Sequence, residues 1–355
     1  MKNIIKSLKF IFYLSKYSQD NYPNTNIIDD SYEGLDGGDA VPLKILSRIN
    51  CNDKNTIIIF PGASSDAEKH PGLLFLGSII CKLGYRVIIP CIPPLKNLKI
   101  DETCFNWFAH AYSKIIERDD IKEQVSAMAL SFGGAILLGA SLDKRIINNP
   151  PKSIMTFGTY SDIQTTLNFL CSGMISINKK TYNIKPHNWG LMILLHNFLD
   201  KLNFEEIKNY KIEIKKIIVL KILDKDQEAE KEVNKLPNEP KFFINKIFNS
   251  NVTKDISIEI ERVIGNEKVF INKMSPKYWG NKVKSKVFIM HGSNDSMVPF
   301  TESINLGKYI KNSSLFISYI YEHKEISTNK GLIFKLKEFY KMFLFFKKYF
   351  KYNAS

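Results

Sequence analysis

Cysteine is scarce and poorly arranged for cross-linking. Cys51, Cys81, Cys91, Cys104 and Cys171 make an odd count with no C-x-x-C pair. That excludes a disulfide framework or a zinc module as the organising device and points to a reducing, cytoplasmic compartment. Arginine is as scarce: Arg48, Arg86, Arg118, Arg145 and Arg262 leave forty-five of the fifty basic residues as lysine. The net charge of +14 is therefore a diffuse lysine excess, interleaved with glutamate. No arginine-bearing stripe and no readout motif accompany it, so nucleic acid is not expected as a partner. Long apolar runs are also missing. The longest, FIFYL and MFLFF, fall far short of the roughly 18 residues that cross a bilayer. Residues 1–24 form a basic amphipathic segment, but Lys9 interrupts its apolar part and no small-x-small cleavage site follows. It does not read as a signal peptide. Neither an internal repeat nor a low-complexity linker is present, and no motif implies a metal or organic cofactor.

What the chain has is length and alternation. Its 355 residues, 44% hydrophobic, suffice for a large core. TIIIF (56–60) is a continuous β-branched run of the kind buried on both faces of a parallel sheet. A helical pattern follows at 70–84, then strand YRVIIPCIP, a helix from Asp101 to Arg118, strand VSAMAL, helix GGAILLGASLD and strand KSIMTFGTY. Such alternation predicts an α/β fold with a mostly parallel sheet flanked by helices. Residues 163–275 break the pattern: they carry no buried strand of this kind and read as successive helices. The strand signal returns in SKVFIMHG (285–292) and SLFISYIY, and a long helix ends the chain. The spacing thus predicts one α/β core in two parts, 25–162 and 276–355, split by a helical cap at 163–275.

One short stretch carries chemistry. In VSAMALSFGGAILLGAS an apolar strand stops at Ser131, passes two glycines and resumes as a helix. A-L-S-F-G at 129–133 is a variant of G-x-S-x-G, with alanine in the first small position. A sharp strand-to-helix turn strains the serine backbone, so the residues two positions either side must be small. The turn projects Oγ outward and aims backbone amides at the same space. Glycines 133, 134 and 139 do not fit G-x-G-x-x-G, which argues against a nucleotide loop.

A nucleophilic serine needs a base, and the base an orienting acid, in the order Ser, acid, His for this architecture. MHGSNDSMVP places Asp295 just past a strand end. Of six histidines only His323 lies beyond it, in IYEHKEI, just past the last strand. The separation of 28 positions leaves room for one helix and one strand. Asp162, which also follows a strand, is an alternative acid. His291 reads as structural, and His196 with Asp200 as two side chains on one helix face.

With A-L-S-F-G-G at 129–134, H-G-S-N-D-S-M-V-P at 291–299 and E-H at 322–323, the chain resembles serine hydrolases of the α/β-hydrolase fold with a helical cap insertion. The resemblance covers about 40–160 and 276–345. It implies Ser131 as nucleophile, Asp295 as acid, His323 as base and an oxyanion hole from the Phe132 amide plus one after the first long strand. That strand usually ends in His-Gly; here Pro61-Gly62-Ala63 makes the Ala63 amide the candidate.

The expected activity is that of a carboxylic-ester hydrolase, esterase- or lipase-like, on a small-molecule or lipid ester. Acyl transfer on the same fold, and an inactive membrane-associated homologue, are the alternatives. At the C-terminus, Leu336, Phe339, Phe343, Phe346 and Phe350 form one helical stripe, and Met342, Phe345, Tyr349 and Tyr352 a second. Together they are wider than one contact requires. Either both are buried, against the core and the N-terminal segment, or 336–352 makes a peripheral membrane contact with its lysines.

Overall fold

The computed structural model describes residues 2–16, 23–51, 53–177, 180–249, 251–319 and 331–354. Its strands are β1 (Asn26–Tyr32), β2 (Val41–Ser47), β3 (Thr56–Phe60), β4 (Arg86–Pro90), β5 (Ser126–Leu130), β6 (Ile154–Phe157), β7 (Met174–Ile177), β8 (Lys180–Asn183), β9 (Val287–Gly292) and β10 (Ser313–Ser318). Eight of them form one sheet in the order β1-β2-β4-β3-β5-β6-β9-β10. Pairs β1/β2 and β2/β4 are antiparallel, and every later pair is parallel. This is the mostly parallel α/β architecture that the alternation predicts. The antiparallel pair β1 and β2 is an addition to it.

Residues of β3 alternate between two apolar clusters, as the period of two demands. Ile57 and Ile59 join Val87, Ile89, Met128 and Phe288, while Ile58 and Phe60 join Ile88, Ala127, Ala129 and Ile289. Both faces of the sheet are therefore dry, and helices must cover each.

The helices in chain order are α1 (Lys2–Leu14), α2 (Pro71–Lys82), α3 (Pro93–Lys96), α4 (Thr103–Ile116), α5 (Phe132–Ala140) and α6 (Lys144–Asn148). Between β6 and β9 lie α7 (Ile163–Ser172), α8 (Asn188–Phe198), α9 (Lys211–Ile222), α10 (Asp226–Lys235), α11 (Asn238–Phe248), α12 (Lys254–Asn266), α13 (Lys268–Met274) and α14 (Pro276–Trp279). Last come α15 (Phe300–Tyr309) and α16 (Leu332–Tyr352). Helices α1, α2 and α16 cover one face of the sheet, and α4, α5 and α15 the other. Among the described residues of 163–275, the regular elements are helices apart from the small antiparallel hairpin β7/β8. Its apolar residues run on without a break from the cluster around α5.

Two-sided burial accounts for much of α16. Phe345 and Tyr349 pack on Phe288 of the sheet, with ring centroids 5.9 and 5.2 Å away. Phe346 and Phe350 meet Phe10 of α1 at 4.5 and 5.8 Å. Met342, Phe345 and Tyr349 are therefore core, whereas Leu336, Phe339 and Tyr352 are exposed.

Candidate active site

Order in the sheet places the site. The chain goes from β3 to β4 on one side, then returns to put β5 on the other, so a crevice opens at the C-terminal edge between β3 and β5. Ser131 stands in that crevice, directly after β5 and directly before α5. Its backbone lies at φ 51°, ψ −127°, a region that non-glycine residues seldom occupy. Such a conformation costs about 1–3 kcal/mol and persists only where its surroundings enforce it. The enforcing bonds are visible. Ser131 N donates to Phe157 O at 2.7 Å, and Ser131 O accepts from Gly134 N at 3.0 Å and from Thr159 Oγ1 at 3.1 Å. The serine stays partly exposed between buried Ala129 and Phe132.

The loop after β3 presses on this turn. A methyl group added at Gly133 would lie 2.0 Å from the Pro61 carbonyl oxygen, so only glycine fits. Ala63 follows in that loop. Phe132 opens α5, so its N–H is among the four that have no acceptor within the helix. It lies at the positive end of the helix dipole.

Asp295 is buried in the turn after β9. Its Oδ1 accepts from Met297 N at 2.8 Å and Val298 N at 3.0 Å, which fixes the carboxylate. Its Oδ2 faces Gly158, just past β6, where an added methyl group would sit 3.1 Å away and the backbone has φ +61°. Gly158 N in turn donates to Met290 O of β9 at 2.9 Å. Ser131, Gly158 and Asp295 thus follow three adjacent strands, β5, β6 and β9, at one edge of the sheet. The neighbouring β10 ends at Ser318, whose carbonyl accepts from Ser293 N at 2.8 Å. His323, five residues further on, lies outside the described residues.

Asp162 is engaged elsewhere. It caps α7, accepting from Gln164 N at 3.0 Å, and Lys277 Nζ lies 3.1 Å from its Oδ2. Hydrogen bonding to Asp162 holds the Lys277 ammonium above its ordinary pKa. Asp200 pairs with Lys215 at 3.2 Å within the insertion.

His291, which the sequence marks as structural, and two residues that the motifs do not reveal, Ser303 and Glu302, brace this edge. His291 Nδ1 is 2.7 Å from Ser303 Oγ, and Ser303 Oγ donates to Thr159 O at 3.1 Å. Buried Glu302 accepts at Oε2 from Ser161 N, Ser161 Oγ and Asp162 N at 3.0, 2.8 and 2.8 Å, tying the start of α15 to the loop after β6. Neither Ser303 nor Glu302 has a local spacing signature.

No protein-family model matches the sequence, and no curated protein matches it. Solved structures do match. The rice cell wall degrading esterase LipA from Xanthomonas oryzae superposes with a TM-score of 0.55 at 10% identity, over 96% of this chain and 93% of its own. A dipeptidyl aminopeptidase IV, described as putative, from Bacteroides ovatus gives 0.51 at 10% identity, over 93% of this chain. An acylaminoacyl peptidase in complex with Z-Gly-Gly-Phe-chloromethyl ketone gives 0.50 at 11% identity, over 92% of this chain. The chain spans only 36% and 41% of the length of those two peptidases. The fold is the α/β-hydrolase fold.

Proposed function

We propose that the chain is a serine hydrolase that cleaves carboxylic esters through an acyl-enzyme. The observation that carries this reading is the strained Ser131 backbone at φ 51° between β5 and α5, braced by the loop after β3. A strained, partly exposed serine has no structural use in a turn that glycine would relax.

In the proposed reaction His323 takes the Ser131 Oγ proton as Oγ bonds to the ester carbonyl carbon. The oxyanion so formed is held by the amides of Phe132 and Ala63. As the carbon–alkoxide bond breaks, the imidazolium gives that proton to the leaving alcohol. Water then attacks the acyl-enzyme, His323 takes its proton, and the acid leaves as Ser131 recovers its hydrogen. Asp295 orients the imidazole. It is preferred to Asp162 because the Asp162 carboxylate already caps α7 and binds Lys277. In this reading the helical insertion roofs the site: it begins just after Asp162, beside the catalytic edge, and Tyr160 Oη donates to Met274 O near its end at 3.2 Å.

Ester rather than peptide cleavage is supported by a neighbour of matching length that is an esterase. The peptidases match over less than half of theirs. The test is a series of p-nitrophenyl esters of increasing acyl length set against peptide p-nitroanilides. Ester turnover is expected to exceed anilide turnover and to fall as pH drops through about 6 to 7, where a histidine base protonates. Anilide cleavage without ester cleavage, or a rate flat across that range, contradicts the proposal.

A further inference from the structure

The outward surfaces of α1 and α16 are not those of ordinary covering helices. Among the described residues, eleven of the twenty-five exposed large apolar side chains lie on these two helices, of 13 and 21 residues. On α1, Ile5, Leu8 and Phe12 are 45%, 44% and 53% exposed, at a spacing that lines them along one face. On α16, Ile333, Leu336 and Tyr340 repeat that spacing at 72%, 59% and 60%. The inner faces are satisfied, because Phe10 packs on Phe346 and Phe350.

The exposed charge on these helices has one sign. They carry nine lysines and a single carboxylate, Glu338. Glu338 is buried, accepts from Lys341 Nζ at 2.7 Å and accepts from Tyr319 N at 3.3 Å. Neither helix shows an exposed carboxylate. In the insertion, by contrast, lysines stand among carboxylates, as in Lys216–Glu232 and Lys221–Asp226. Exposed apolar stripes interleaved with lysines, with no exposed carboxylate on either helix, complement an anionic lipid surface. The apolar side chains enter the headgroup boundary and the lysines reach the phosphates. Among the described residues no helix is long and apolar enough to cross a membrane, so the contact is one of docking.

We propose that the outward faces of α1 and α16 form a docking surface for an anionic phospholipid bilayer. The direction of α16 adds an orientation. Its C-terminal end is tied to the starts of β5 and β6, where Asn353 Oδ1 accepts from Ser126 Oγ at 2.7 Å and Ser153 Oγ at 2.8 Å. Glu338 is tied to the residue after β10 at the opposite, catalytic edge. Ile333 and Leu336 precede Glu338, so they stand at the edge that holds Ser131 and Asp295. Docking therefore sets that edge beside the lipid. The value of this for catalysis rests on the proposed role of Ser131; the docking does not.

The test is co-sedimentation of the full chain with phosphatidylcholine vesicles, with and without phosphatidylserine. The protein is expected to pellet only with phosphatidylserine and to be released by added salt, since lysine attraction is screened within about 8 Å at physiological ionic strength. Combined Leu8→Ser, Phe12→Ser, Leu336→Ser and Tyr340→Ser should weaken partition at least about tenfold with an unchanged melting temperature, because all four side chains are exposed. Lys9→Glu with Lys337→Glu should also weaken it by about tenfold or more. Hydrolysis of a soluble ester should be the same in all three proteins, which separates this claim from the catalytic one. No pelleting, equal pelleting with both vesicle types, or full partition of the serine variant overturns the proposal. So does a dimer in solution that the serine changes dissociate, because the face would then belong to a second copy.

Discussion

Asp295 Oδ2 lies 3.3 Å from His291 Nε2, and the same nitrogen is 2.9 Å from the Val298 carbonyl oxygen. A carbonyl can only accept, so His291 Nε2 carries a hydrogen and turns its positive edge toward the carboxylate. With two amides on Oδ1 and this edge near Oδ2, the turn after β9 is built to hold a negative charge at a fixed place. Asp162, in contrast, carries out a capping task that its side-chain amide analogue can also perform.

The two acids are therefore separable by their amides. Asp295→Asn is expected to lower turnover of a p-nitrophenyl ester by about ten thousandfold while the protein stays folded, as happens when a triad acid is replaced and the wrong imidazole tautomer is held. Asp162→Asn should leave turnover close to that of the parent. Steady-state rates on both variants decide it, and a reversed order would move the acid to the end of β6.

Gly133→Ala tests the loop after β3. Its methyl group would meet the Pro61 carbonyl oxygen at 2.0 Å, and backbone must give way. If Ala63 supplies an oxyanion donor, turnover should fall about a hundredfold or more. Undiminished turnover would detach Ala63 from the reaction.

Phe345→Ala addresses the C-terminal helix from within. Phe345 is buried between Phe288 and Phe316, at ring separations of 5.9 and 5.6 Å. Truncating a buried aromatic costs about 3–5 kcal/mol. Denaturant unfolding should show that loss, and a change too small to measure would place the side chain outside the core.

Asn353→Ala removes the acceptor shared by Ser126 and Ser153 at the far edge of the sheet. Leaving buried hydroxyls unpaired costs about 1–3 kcal/mol. Stability should fall by that order in urea, with turnover unaltered, since the clip lies at the edge opposite Ser131.

Local signals explain what was legible. The runs TIIIF and KVFIMHG are buried on both faces, so their composition alone marks them as central strands. The turn at Ser131 is legible because its sterics act on immediate neighbours. Strand β1 was not legible. All of Asn26–Asp29 is exposed at the sheet edge, and no burial pattern marks the strand in the sequence. The hairpin at 174–183 was missed for the same reason, since most of its residues are exposed. Nor could the sequence reveal Glu302 bonding to residues some 140 positions away, because such a bond leaves no spacing to read. On α16 the composition shows two apolar stripes but not their partners. Only α1 and the sheet decide which residues are covered.

Labelling with a fluorophosphonate probe tests the central claim most directly. One modified residue is expected, Ser131, located by peptide mass spectrometry, with labelling abolished in Ser131→Ala. Modification of a different serine that persists in Ser131→Ala would contradict it.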